Sequence, residues 1–440
     1  MQTYFNELVQ HIRSLTKGDE GFTCFLEGED TDFCRFNHGK IRQSGHVLQN
    51  KLRLQLFDSQ KHMEEVLTLS SRLEDDKMRL EKGLERMRAI LKELPKDPYF
   101  LLNEEPQSSE FVRKKELPPR DRIIADVLDE VEELDFVGIY AGGDVYRAFA
   151  NSHGQMNWYE SQTFNLDWSV YLQDDKAVKQ GYAGFKWERE HFKDKLAQAR
   201  RQLEVLKRSP KTISPGKYRV YLSPAALEEV FALLNWESFG RKSFETKRSA
   251  LVKLFDGQER LSPLVSIAED TGSSIAPNFD HSGFLKPDCV QLIQNGAFAS
   301  ALTCARSARE YQTEANGANH SENPESVAMA PGALEEKDIL KELGTGLYIN
   351  NLWYLNYSDR NACRMTGMTR FASFWVENGE IVAPLNVMRF DESLYRMFGS
   401  QLIGLTKDRE MILSNSTYGK RDTGSMNLPG ALIDDFNLTL

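Results

Sequence analysis

The spacing of apolar residues changes repeatedly along this chain, and each change predicts a new element. Near the start, Phe5, Leu8, Val9 and Ile12 recur at three-four spacing and predict a short helix. Phe22 to Leu26 and Phe33 to His38 predict two short strands, with Gly39-Lys40 as a turn. Ile41 to Asp58 alternates, Leu52, Leu54 and Leu56 on one side and Lys51, Arg53 and Gln55 on the other. Period two with one polar face predicts an antiparallel sheet covered on one side. Gln60 to Leu94 reads as one long helix, with Val66, Leu69, Leu73, Leu80, Leu84, Met87, Leu91 and Leu94 at three-four spacing. That stripe fits a coiled-coil dimer seam or a cover for the preceding sheet, and the sheet's need for a cover favours the second.

Pro95, Pro98 and Pro106 end this helix, and Glu104 to Arg120 reads as an exposed loop. Ile123, Ile124, Val127, Leu128, Val131 and Leu134 predict a second amphipathic helix. Strands follow at Phe136 to Tyr140 and Val145 to Ala150, joined by Gly142-Gly143, then at Tyr159 to Leu172 and Gly181 to Lys186. Glu188 to Lys207 predicts a helix with Phe192, Leu196, Ala199, Leu203 and Leu206 on one face. Arg208 to Lys217 is rich in proline, glycine and small polar residues, and marks a boundary between domains at 1–210 and 211–440. Beyond it Tyr218, Val220 and Leu222 predict a strand, and Ser223-Pro224 caps a helix running to Trp236. From Val290 onward the pattern is mostly strand. Asn295-Gly296 closes one hairpin and Asn378-Gly379 another, because both pairs tolerate the positive φ of a type I′ turn. Gln312 to Leu334 reads as a long loop.

Composition narrows the function classes. Of 440 residues, 40% are hydrophobic and 27% charged, which predicts a soluble globular protein with room for two cores. Lys+Arg 55 against Asp+Glu 65 gives a net charge of −10 and argues against a general nucleic-acid binder. Five cysteines, odd in number and without CxxC spacing, predict reduced thiols and a cytoplasmic location. The N-terminus lacks a basic region followed by an apolar core, so no signal peptide is expected. No apolar run reaches the roughly 18 residues of a membrane span, so no membrane partner is expected either.

Candidate chemistry is sparse. A helical zinc peptidase needs two imidazoles on one helix face, a third ligand and a carboxylate to activate water. His11, His38, His46, His62, His153, His191, His281 and His320 include no pair three to five residues apart. There is no GxSxG elbow, Thr271-Gly272-Ser273-Ser274 reading as a loop, and no phosphate loop follows Gly138 or Gly142-Gly143. Asp129-Glu130, Glu132-Glu133 and Asp174-Asp175 read as solvated faces and turns.

Four segments, in order, carry a resemblance: Arg35 to Gly45 (RFNHGKIRQSG), Ala148 to Gly154, Gln291 to Gly296, and above all Gly346 to Gly399. Together they resemble the TldD/PmbA family, also called TldD/TldE, older annotation of which speaks of modulators of DNA gyrase. The resemblance implies an α+β chain with an N-terminal α/β domain and a C-terminal β-rich, barrel-like, mostly antiparallel domain. It implies pairing of TldD-type and TldE-type chains into a dimer around a chamber. The TldD-type chain there holds zinc and cuts unfolded peptides, in peptide maturation and in proteolysis, and the TldE/PmbA-type chain lacks the metal motif.

In active members a His-Glu-x-x-x-His motif follows the strand and proline seen here as Tyr218 to Pro224. Its positions fall at Ala232, Leu233 and Glu237, and the cysteine of a Cys-Gly-Lys turn falls at Tyr418. Ala232 and Leu233 cannot ligate a metal or carry a proton. The resemblance therefore implies a TldE/PmbA-like, non-catalytic chain with no cofactor of its own, with zinc held by a TldD-like partner. Heterodimer and homodimer stay open. So do an active homodimer with an atypical metal site and a stand-alone peptide-binding scaffold. Phe374, Trp375 and Val376 are candidates for docking an extended peptide along a strand edge. Phe279 to Gly283 matches a family turn that is structural or substrate-proximal.

Overall fold

The structure, a computed structural model, describes every residue except 174, 175, 274 and 418. The acidic pair Asp174-Asp175 lies outside the described residues. Helix α1 (Gln2–Leu15) buries Phe5, Leu8, Val9 and Ile12 as their spacing predicts. The two short strands expected next are one, β1 (Gly21–Asn37), because Glu29 and Thr31 in its middle are buried and stay paired to both neighbours. β2 (Lys40–Asp58) turns back along it.

The predicted helix from Gln60 is corrected at its N-terminal end. Lys61–Leu69 is strand β3, pairing with β2 from Asp58↔Lys61 to Asn50↔Leu69, and helix α2 occupies only Leu73–Leu91. Val66, counted in the helical stripe, is 52% exposed, while Leu67 and Leu69 are buried. Period two wins there because β3 completes the sheet edge over the same core. Asp76 fixes the switch: its buried carboxylate accepts from the Ser70 N–H at 2.9 Å and the Tyr4 hydroxyl at 2.7 Å. Leu80, Leu84, Met87 and Leu91 then pack with Leu52, Leu54 and Leu56, so the stripe covers the sheet.

The stretch read as loop contains the short strand β4 (Ser109–Val112). After α3 (Arg120–Val131), the two strands expected around Gly142-Gly143 are one, β5 (Asp135–Asn151). Glycine at 143 is required there: φ is +147°, and a Cβ would stand 2.1 Å from the Asp30 carbonyl of β1. β6 (Met156–Gln173), β7 (Lys176–Gly184) and α4 (Arg189–Leu206) complete the first half. Its sheet runs β3-β2-β1-β5-β6, with β4 and β7 both pairing with β6. Even-numbered residues of β1, Phe22, Cys24, Leu26, Cys34 and Phe36, face the helices. The opposite face meets the second half through Phe25, Phe149, Tyr159 and Phe279.

The second half begins with β8 (Gly216–Leu222) and α5 (Pro224–Leu234), whose N-cap Ser223 accepts from the Ala226 N–H at 3.2 Å. Short helices α6 (Arg241–Glu245) and α7 (Val252–Phe255) lead to β9 (Ile267–Glu269), β10 (Val290–Gln294) and β11 (Ala297–Phe298). After α8 (Ala305–Tyr311), the expected long loop is interrupted by β12 (Ser326–Met329), which is buried between β9 and a strand from the C-terminus. Then come α9 (Ile339–Leu343), β13 (Gly346–Asp359), β14 (Arg364–Glu377), β15 (Glu380–Pro384), β16 (Arg389–Ser393), β17 (Leu402–Leu413) and β18 (Ser425–Leu438). β8 pairs with both β13 and β18, so β18-β16-β14-β13-β8 closes into a ring. Both predicted hairpin turns form, with Asn295 and Gly296 at φ 47° and 75° and Asn378 and Gly379 at 52° and 81°. The fold is α+β, with mostly antiparallel sheets. Among the described residues no helix is long and apolar enough to cross a membrane.

Candidate functional site

A cleft of about 610 Å³ lies between the two halves. β7 and α4 supply one wall with Lys179, Tyr182, His191 and Lys195. The start of α5, β13 and β17 supply the other, with Tyr221 just before α5, Tyr348 and Glu410. Lys195 reaches across to Glu410 at 2.5 Å and ties the walls together. Tyr221 and Tyr348 stand with ring centroids 4.9 Å apart, and burial pushes both hydroxyls well above their ordinary range. They are therefore neutral phenols, able to donate hydrogen bonds but not to act as bases.

Glu228 and Glu229 interrupt the apolar sequence of α5. Burial raises Glu228 to about 7, with Glu229, Asp167 and Glu410 adding to the rise and Lys179 opposing it. Burial raises Glu229 as well. Sequence reasoning passed over this pair, although two adjacent acids inside PAALEEVFALL were the available signal.

Three of the four positions expected for a degenerate metal site lie on α5 and the turn after it. Ala232 is exposed, Leu233 is buried in the core, and α5 ends at Leu234. Glu237 lies beyond the helix with φ of +60°, paired to Arg248 at 2.9 Å and Arg360 at 3.6 Å. Three residues so placed present no common ligand face. Tyr418 lies outside the described residues. Its neighbours dock on the first half, the Gly419 carbonyl accepting from Gln49 at 2.8 Å and Lys420 pairing with Glu27. Among the described residues there is no group of three or more His, Cys, Asp or Glu placed to hold a metal ion.

Phe374, Trp375 and Val376 are corrected from docking candidates to core. All three are buried, and β14 is paired to β13 on one edge and to β15 on the other. No free edge remains there for a peptide. The Phe279–Gly283 turn is an inter-half contact. The Asp280 carboxylate accepts from the Ser282 and Phe284 N–H groups, each at 2.9 Å, and burial raises it to about 7. The Gly283 carbonyl accepts from Asn103 and Gln155 of the first half. Burial, with neighbouring His320, lowers His281 to about 4, so the imidazole is neutral at physiological pH.

Known proteins share this fold. TldE from Thermococcus kodakarensis superposes with a TM-score of 0.78 at 13% identity, covering 99% of this chain and 100% of that one. A putative modulator of a DNA gyrase from Thermotoga maritima gives 0.78 at 15% identity over the same shares. In sequence, Metalloprotease PmbA of Escherichia coli O157:H7 is 26% identical over 261 residues, 57% of this chain. The match spans 56% of PmbA's own length. A family model described as PmbA/TldA metallopeptidase C-terminal domain matches residues 215–440, the whole of the second half from β8 onward. With that model covering more than half of its residues, the chain belongs to the PmbA/TldD family of metallopeptidase-related proteins.

Proposed function

We propose that this chain is a non-catalytic, TldE/PmbA-like subunit of a two-chain zinc metallopeptidase that cleaves unfolded peptides. One observation carries the reading: where the family resemblance puts its metal motif, α5 and the turn after it offer a methyl group, a buried isobutyl group and a carboxylate paired to arginine. A water cannot be ionised by such a set. The chain's part is to supply half of a peptide-holding chamber, while a TldD-like homologue holds zinc and performs hydrolysis in the cytoplasm.

Purified alone, the chain is expected to carry no stoichiometric zinc and to leave an unfolded peptide intact. Cleavage is expected only on addition of a homologue bearing His-Glu-x-x-x-His. Elemental analysis and a peptidase assay of each chain, apart and together, check this. Stoichiometric metal in the isolated chain, or hydrolysis by it, overturns the proposal.

A further inference from the structure

The RFNHGKIRQSG segment carries no role in the reading above, yet its two arginines open onto a second groove of about 400 Å³ beside the cleft. Lys179 lines both cavities. Arg35, Arg42, Ile139 and Asp167 form the first-half wall, and Phe371 closes the groove from β14. That volume lies within the roughly 300–1,000 Å³ typical of ligand sites.

A β-bulge brings the arginines together. β1 and β2 pair in steady register out to Arg35↔Gln43, then slip so that Phe36 faces Ile41. Without the slip, Arg42 would lie opposite Phe36 and share its helix-covered face. The extra residue re-aims Arg42 to the other face, beside Arg35. Both side chains are exposed, and among the described residues neither makes an ion pair. The groove's third cation, Lys179, differs: it has Asp167 at 3.6 Å. Two uncompensated guanidinium groups in one groove are a pronounced local feature on a chain of net charge −10. Their planar donor forks match the geometry of a carboxylate.

We propose that Arg35 and Arg42 anchor a carboxylate of an unfolded polypeptide, either its C-terminus or an acidic side chain, beside the cleft. The inference rests on the reading that this chain handles peptides, and it adds which peptides are held best. Calorimetric titration of the full chain with three short unstructured peptides tests it. One is neutral and amidated, one has the same sequence with a free C-terminus, and one is amidated with a single Gln replaced by Glu.

At least one carboxylate-bearing peptide is expected to bind about tenfold or more tightly than the neutral one. In Arg35→Gln/Arg42→Gln that preference disappears while affinity for the neutral peptide is retained. Which acidic peptide gains identifies the carboxylate that is held. Arg35→Lys keeps the charge but loses the fork, so an intermediate loss is expected, with an unchanged melting midpoint showing an intact fold. Equal binding of all three peptides, or a preference that survives the double substitution, overturns the anchor and leaves the subunit reading standing. Failure of every peptide to bind also overturns it, and reconstitution with the metal-bearing homologue then judges the subunit reading separately.

Discussion

Glu228 shows how one residue makes the stability of the fold sensitive to pH. Burial raises its carboxyl from an ordinary 4.5 to about 7. Between those values the folded chain keeps a proton that the unfolded chain releases, so stability falls as pH rises through that window. Above about 7 the full cost of a desolvated carboxylate is present. Glu228→Gln removes the charge at constant shape. It is expected to stabilise the fold above neutrality by on the order of 1–2 kcal/mol, allowing for partial solvent screening. Below the ordinary glutamate value the gain should vanish. Urea unfolding of both proteins at the two ends of the window checks this, and an identical difference at both ends would contradict it.

At the scale of elements, regular patterns were legible and interrupted ones were not. α4 and α5 follow their apolar spacing, and both Asn-Gly turns form, because local chemistry alone specifies them. β3 was misread because Leu69 and Leu73 satisfy helical spacing even though a strand ends before Leu73 and a helix starts there. What decides is a contact distant in sequence, Asp76 accepting from Tyr4 on α1 and from Ser70. Asp76→Ala should therefore cost about 2–4 kcal/mol, since it leaves the Ser70 amide and Tyr4 hydroxyl without their buried acceptor. Chemical denaturation measures the loss, and a change within about 0.5 kcal/mol would show that the switch is held otherwise. The cleft was illegible for the same reason. Tyr221 and Tyr348 meet only because β8 and β13 pair in parallel, and no local spacing signals that.

Across the whole molecule, polar contacts reaching from the C-terminal loop into the first sheet add to the apolar packing that joins the halves. Arg421 is the centre of that contact: its buried guanidinium donates to the Thr163 hydroxyl at 2.6 Å, the Thr163 carbonyl at 3.1 Å and the Gly143 carbonyl at 3.3 Å. Burial lowers it to about 10, while Glu29 opposes the shift, so it remains charged at neutral pH. A buried cation held by several acceptors is costly to delete singly, because the acceptors left behind lose their donor without regaining water. Arg421→Met keeps the stem volume and removes the donors. The expected loss is about 3 kcal/mol, concentrated at the seam between the halves and sparing the cores under α1 and α2. Hydrogen exchange should report it as faster exchange around Gly143 and Thr163, with the Leu80–Leu91 face of α2 unchanged. Uniform loss of protection along the chain would instead mean that the halves unfold as one unit, and the seam would then not be a separable joint through which the cleft could open.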